Sequence, residues 1–118
     1  MDRKYFPVVF YKTESGNEPV REWLKSLAVQ ERKAIGEDIK TVQFGWPLGM
    51  PLIKKVEPGL WEVRSRLVNK ISRVIFTVID EHIFLLHGFI KKSQRLSDED
   101  LYVARQRLSN IKRGKNEN

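Results

Sequence analysis

The stretch LWEVRSRLVNKISRVIFTVIDEHIFLLHGFI, residues 60–90, decides the fold. It divides into three runs of strand length: Leu60–Leu67, Ile71–Ile79, and a third from His82 or Ile83 to Ile90. Turn-forming residues separate them at Asn69-Lys70 and Asp80-Glu81. Joins this short make neighbouring strands antiparallel, so the runs form a meander. The run Ile71–Ile79 is apolar on both faces except at Arg73 and two hydroxyls, which places it centrally in the sheet.

Outward from this core, Leu52–Val56 adds a strand before the Pro58-Gly59 turn, and Trp46–Pro51 is a rigid apolar loop. A helix is expected from about Gln30 to Phe44, with Ile35, Ile39, Val42 and Phe44 inward; Gly45 then supplies the residue after its end and Pro47 forbids continuation. A shorter helix begins near Glu18-Pro19, with Asn17 as its cap and Val20, Trp23, Leu24 and Leu27 at helical spacing. Tyr5–Tyr11 reads as a strand, with Pro7 suited to its start or to a sheet edge. Downstream, Ser97 caps a last helix and Asp100 is its reciprocal carboxylate. That helix runs to about Lys112.

The expected order is β-α-α-β-β-β-β-α. It describes one α+β domain over residues 1–112: an N-terminal strand, a helical hairpin, an antiparallel meander and a C-terminal helix. Residues 113–118 form a frayed basic tail. One sheet face packs on helices and the other is partly open.

The chain has 118 residues and no cysteine, which excludes disulfide scaffolds, thiolate zinc sites and cysteine nucleophiles. Two histidines, His82 and His87, do not suggest a metal cage. The net charge is +7, with 10 Lys/Arg against 8 Asp/Glu in residues 1–59 and 12 against 7 in residues 60–118. Such a balance favours a polyanionic partner, nucleic acid above all. No run approaches a membrane span and the N-terminus lacks a secretory pattern, so no membrane association and a cytoplasmic location are expected.

Alternation in Leu60–Leu67 sends Trp61, Val63, Ser65 and Leu67 to the core side and Leu60, Glu62, Arg64 and Arg66 to the other. A two-residue loop at Asn69-Lys70 sets Arg66 opposite Arg73 and Arg64 opposite Ile75. Facing arginines repel unless an anion is shared between them. His87 depends on the next turn: a two-residue loop at Asp80-Glu81 sends it to the core side with Val74, and one extra residue brings it beside Arg64 and Arg73. Lys91, Lys92 and Arg95 leave the last strand at the rim of the same surface. Arg105 and Arg107 read as solvated helical surface. Trp61 belongs to the core by parity, whereas Trp46 is open to base stacking.

The segments Leu60-Trp61-Glu62-Val63-Arg64-Ser65-Arg66, Arg73-Val74-Ile75-Phe76 and Leu86-His87-Gly88-Phe89-Ile90-Lys91-Lys92 resemble the phage-derived HigB-like toxins of the RelE/ParE superfamily. The resemblance covers about residues 5–112. It implies a RelE-like fold and an RNase that cuts mRNA, typically on the translating ribosome. It also implies neutralisation by a helix-turn-helix antitoxin from the same operon.

By motif position, the resemblance puts the catalytic chemistry on Arg64, Arg73 and Lys91 or Lys92, with His87 on the open face. Arg66, Arg95 and Trp46 are the further RNA contacts. The implied reaction uses no metal or other cofactor: a ribose 2′-OH attacks the adjacent phosphate. Arg64 and Arg73 would clamp its oxygens, His87 would serve as base or acid, and a lysine could do so if neighbouring cations lower its pKa. Arg73→Ala is then expected to remove toxicity without unfolding the protein. Tyr102 does not match the C-terminal tyrosine of RelE. A ParE-like gyrase inhibitor and a non-catalytic nucleic-acid-binding domain are the alternatives on the same scaffold.

Overall fold

A computed structural model describes residues 5–49 and 51–116. Five strands among them, β1 (Val8–Phe10), β2 (Ile53–Glu57), β3 (Leu60–Leu67), β4 (Lys70–Ile79) and β5 (His82–Ile90), form one mixed sheet in the order β1-β5-β4-β3-β2. Only β1 runs parallel to its neighbour. β4 is central, and residues 72–77 are buried without a break. The protein is an α+β domain whose architecture is consistent with a RelE-like fold.

β1 is shorter than the expected Tyr5–Tyr11. The Phe6 N–H donates to the Gln43 carbonyl at 3.0 Å, which draws the chain off the sheet before Val8. Helix α1 (Pro19–Lys25) starts at the proline as expected. Asn17 does not cap it. Its N–H instead donates to Thr13 Oγ1 at 3.1 Å and closes the preceding loop. Helix α2 (Val29–Gly45) includes the glycine expected just beyond its end, and Glu31 accepts from the Ala28 N–H at its start. Helix α3 (Asp98–Asn116) continues four residues past Lys112, so residues 113–116 are helical rather than frayed. Asn118 and Glu117 lie outside the described residues.

Two apolar layers result. On one face Val20, Ile35, Ile39 and Val42 pack on Ile53, Val63, Val74, Phe76, Ile83 and Leu85. On the other, Ala104 and Leu108 of α3 pack on Leu60, Ile75, Leu86 and Tyr11. The second face is therefore half covered by α3. Among the described residues no helix covers the half carrying Arg64 and Arg66, and Arg66 is exposed. No helix among the described residues is long and apolar enough to cross a membrane.

One detail of register corrects the sequence reading, and a second places His87 on the open face by a route the loop length did not give. The β3–β4 loop is Val68-Asn69, with Leu67 paired to Lys70. Asn69 takes φ +60°, a left-handed conformation that asparagine tolerates better than most residues. The pairing thus sets Arg64, not Arg66, opposite Arg73, and Arg66 meets Ile71. The β4–β5 loop has the expected two residues, Asp80 and Glu81, both at positive φ as a type I′ hairpin requires. Yet His87 does not pair with Val74. Phe76 pairs with Leu85 and Ile75 with His87, leaving Leu86 as an extra bulged residue. The bulge reverses parity, so His87 shares a face with Arg73 and Phe89.

Candidate functional site

The register assembles polar side chains in two rows across the half-covered face. Lys54, Glu62, Ile75 and His87 form one row; Arg64, Arg73 and Phe89 form the next. Adjacent members of a row stand about 4.8 Å apart, the strand spacing. Five charged or titratable groups of this surface thus come from four strands, and Lys91 joins them from just past the end of β5.

Arg73 lies deepest. Both it and Glu62 are 2% exposed. Arg73 Nε stands 3.6 Å from Glu62 Oε2, close enough for ionic attraction but without a hydrogen bond from either atom. The guanidinium spends its other donors on a loop: Nη2 donates to the Gln94 carbonyl at 2.9 Å and reaches the Ser93 carbonyl at 3.5 Å. This is how a central apolar strand tolerates a charge. The carboxylate and two carbonyls compensate it, as a buried ion requires.

Arg64, half-buried, faces Arg73 across the ladder. Lys91 completes the group. Its Nζ donates to Gln94 Oε1 at 3.3 Å. Burial holds the Lys91 amine below the ordinary lysine range, and the charges of Arg64, Arg73 and Lys54 push it the same way against Glu62. Lys54, Arg64, Arg73 and Lys91 therefore share one positive field, the arrangement that attracts a polyanion and sharpens a lysine as a proton donor.

Lys92 and Arg95 are exposed. They border a cleft of about 590 Å³ beside β5, whose wall includes Trp23 and Gly88. The glycine is needed there, because a Cβ on residue 88 would lie 2.5 Å from Trp23 Cε3.

His87 is held from α3. Its Nε2 lies 2.7 Å from Asp100 Oδ1. The other oxygen, Oδ2, accepts from the Ser97 hydroxyl at 2.7 Å, and Ser97 Oγ in turn accepts from the Asp100 N–H. Ser97 thus caps the Asp100 N–H as the sequence suggests, while the Asp100 carboxylate takes the Ser97 hydroxyl rather than its N–H and is also the partner of His87. The Phe89 ring lies 5.2 Å from the imidazole.

Trp46 and Arg107 sit differently from the sequence reading. Trp46 packs edge-on against Trp61 at 5.0 Å and against Phe76 at 5.5 Å, in the layer beneath α2, so its ring serves the core on the face opposite the basic cluster. Arg105 is exposed on α3, as read, and forms a two-pronged pair with Glu57. Arg107 donates to the Leu86 carbonyl at 2.6 Å, and burial lowers its pKa. The sequence reading also missed Lys54, whose alternation within the Ile53–Glu57 run carried the signal once its pairing was known. Gln94 and the Trp23–Gly88 contact had no local signal.

No curated protein matches the chain. Residues 22–109 match the family model described as Phage derived protein Gp49-like (DUF891). The matched span contains β2 to β5 and every member of the basic cluster together with His87 and Asp100. By this match the chain belongs to the Gp49-like family of phage-derived proteins.

Proposed function

We propose that this protein is a HigB-like toxin of a type II toxin–antitoxin module and that it acts as a metal-independent mRNA endoribonuclease on the translating ribosome. The observation that carries the reading is the convergence of Arg64 and Lys91 with Lys54 around the buried Glu62–Arg73 pair, in a field that lowers the Lys91 pKa. Membership of a phage-derived family, and the resemblance of the Leu-His-Gly-Phe-x-Lys-Lys segment to HigB-like toxins, support the toxin context.

In the proposed reaction RNA lies across Phe89, with His87 on one side of it in β5 and Lys91 on the other just past the strand's end. His87 takes the proton of the ribose 2′-OH as that oxygen bonds to phosphorus. Arg64 stabilises the charge on the non-bridging oxygens. Lys91, with its lowered pKa, protonates the departing 5′-oxygen as the P–O5′ bond breaks. The products are a 2′,3′-cyclic phosphate and a 5′-hydroxyl. Arg73 acts from below by holding the 93–94 carbonyls, rather than on the phosphate. Lys92, Arg95 and Arg66 hold flanking RNA. A helix-turn-helix antitoxin neutralises the toxin by covering this face.

Induced expression with mapping of cellular mRNA 5′ ends tests the proposal, comparing wild type with Arg64→Ala and Lys91→Met. Growth arrest with new 5′-hydroxyl ends inside translated frames, lost in both variants, is expected. Arrest with intact mRNA would replace it with another target such as gyrase. Soluble protein with no arrest would leave a binding domain.

A further inference from the structure

We infer that Asp100 is the positioning residue for His87, fixing the ring tautomer that leaves Nδ1 free to accept a proton. The inference rests on the nuclease reading for the use of that proton, but its geometry stands apart from it.

An ionised carboxylate can only accept hydrogen bonds, so the 2.7 Å contact between His87 Nε2 and Asp100 Oδ1 requires the ring hydrogen on Nε2. Neutral imidazole then has its lone pair on Nδ1. The carboxylate sits in the first turn of α3. It cannot easily turn away. Its second oxygen holds the Ser97 hydroxyl, and Ser97 Oγ holds the Asp100 N–H.

The histidine is fixed from its own side as well. Its face depends on the bulge at Leu86, and Arg107 grips the Leu86 carbonyl at 2.6 Å. From α3, Asp100 holds the ring, Arg107 holds the Leu86 carbonyl and Glu99 lines the neighbouring cleft, and β4 pairs the apolar Ile75 with His87. A simple staple between helix and strand would need one polar contact. Here one helix sets the bulge, the ring orientation and the tautomer of a single histidine, the arrangement by which a carboxylate prepares an imidazole for proton transfer.

The test joins a spectroscopic readout to a kinetic one. Imidazole ¹⁵N spectra at alkaline pH, with His82→Gln used to assign His87, report the tautomer directly. The expected wild-type pattern has Nε2 carrying hydrogen and Nδ1 bare, and Asp100→Ala gives a mixture. Single-turnover cleavage of mRNA on programmed ribosomes is expected to fall roughly 10-fold or more in Asp100→Asn, a share of the ~10²–10⁴ that positioned proton transfer contributes. In His87→Gln the Asp100→Asn change should cost nothing further, whereas a merely structural contact would add its own loss. Melting curves of each variant identify unfolding, and Asp100→Asn keeps both a cap and an acceptor.

A wild-type ring with hydrogen on Nδ1, or additive losses in the double variant, would overturn the inference. Wild-type protein that shows the fixed tautomer but cuts no mRNA on programmed ribosomes would overturn the nuclease reading and leave Asp100 as the positioning residue.

Discussion

The Arg73 guanidinium donates to the Gln94 carbonyl at 2.9 Å, so a charge set in the middle of the sheet holds down the loop that carries Lys91, Lys92 and Arg95. The same guanidinium is the ionic partner of buried Glu62. These two attachments make Arg73 a part of the scaffold on which the cationic surface is built.

Arg73→Ala is therefore expected to destabilise the protein, which revises the sequence-based expectation that it would leave the fold intact. Removing one member of a buried pair leaves the other charge uncompensated, at a cost of about 3–5 kcal/mol. Urea unfolding at neutral pH measures it. Replacing both partners, Glu62→Met with Arg73→Leu, should recover most of the loss, because no isolated charge remains. An Arg73→Ala protein as stable as wild type would show that the pair contributes little.

Gly88→Ala should also destabilise. The added Cβ would meet the Trp23 ring at 2.5–2.6 Å, and relief requires the indole to move off β5. Overpacking of this kind costs about 1–3 kcal/mol. In a Trp23→Ala background the same change should cost much less, since the clashing atoms are gone. Equal costs in the two backgrounds, read from thermal melts, would exclude Trp23 as the reason for glycine at this position.

The sequence was most legible where periodicity alone decides structure. The bounds of Leu60–Leu67, the central place of Ile71–Ile79 and the outward parity of Glu62 and Arg64 follow from alternation against a buried face. The Arg66–Arg73 pairing expected from the sequence fails, and the face of His87, left open by alternation, is decided by a bulge; both have local causes that alternation does not carry. Asn69 shifts one loop by a residue because it accepts a positive φ. The Leu86 bulge turns His87 over, and its carbonyl is held by Arg107, a residue 21 positions away. Likewise Trp46 shows no periodic pattern in a Pro-rich loop, and only the meeting of Trp61 and Phe76 places it in the core. The site's long-range contacts, His87 with Asp100 and Arg73 with Gln94, arise from how α3 and the 91–97 loop return to the sheet.

Lys91→Met should raise stability at neutral pH. Burial and the charges of Arg64 and Arg73 lower the Lys91 pKa, so the folded protein holds this proton less tightly than the unfolded chain. Between the lowered value and the ordinary 10.5 the unfolded state binds more protons, and stability rises with pH. Below that window both states are charged and the folded state bears the full repulsion. The advantage of Lys91→Met over wild type should thus be largest at neutral pH and shrink as pH rises toward 10.5. Urea midpoints for the two proteins across this range check it; parallel curves would mean that Lys91 feels no net repulsion.

Arg64→Ala is expected to weaken RNA binding through a lost phosphate contact and leave stability nearly unchanged. Arg64 is half-buried beside Arg73 and Lys91, and its removal relieves repulsion as it removes attraction for an anion. On single-stranded RNA each neutralised phosphate adds about 0.7 to the slope of log affinity against log salt. The slope should fall by about that amount in Arg64→Ala, measured by fluorescence anisotropy on a 2′-O-methyl RNA that cannot be cut. Lys33→Ala provides the comparison, since Lys33 is exposed on α2, which packs on the opposite sheet face. If Lys33→Ala lowers the slope as much as Arg64→Ala does, the protein binds RNA by its net charge rather than through the surface formed by Arg64, Lys54 and Lys91.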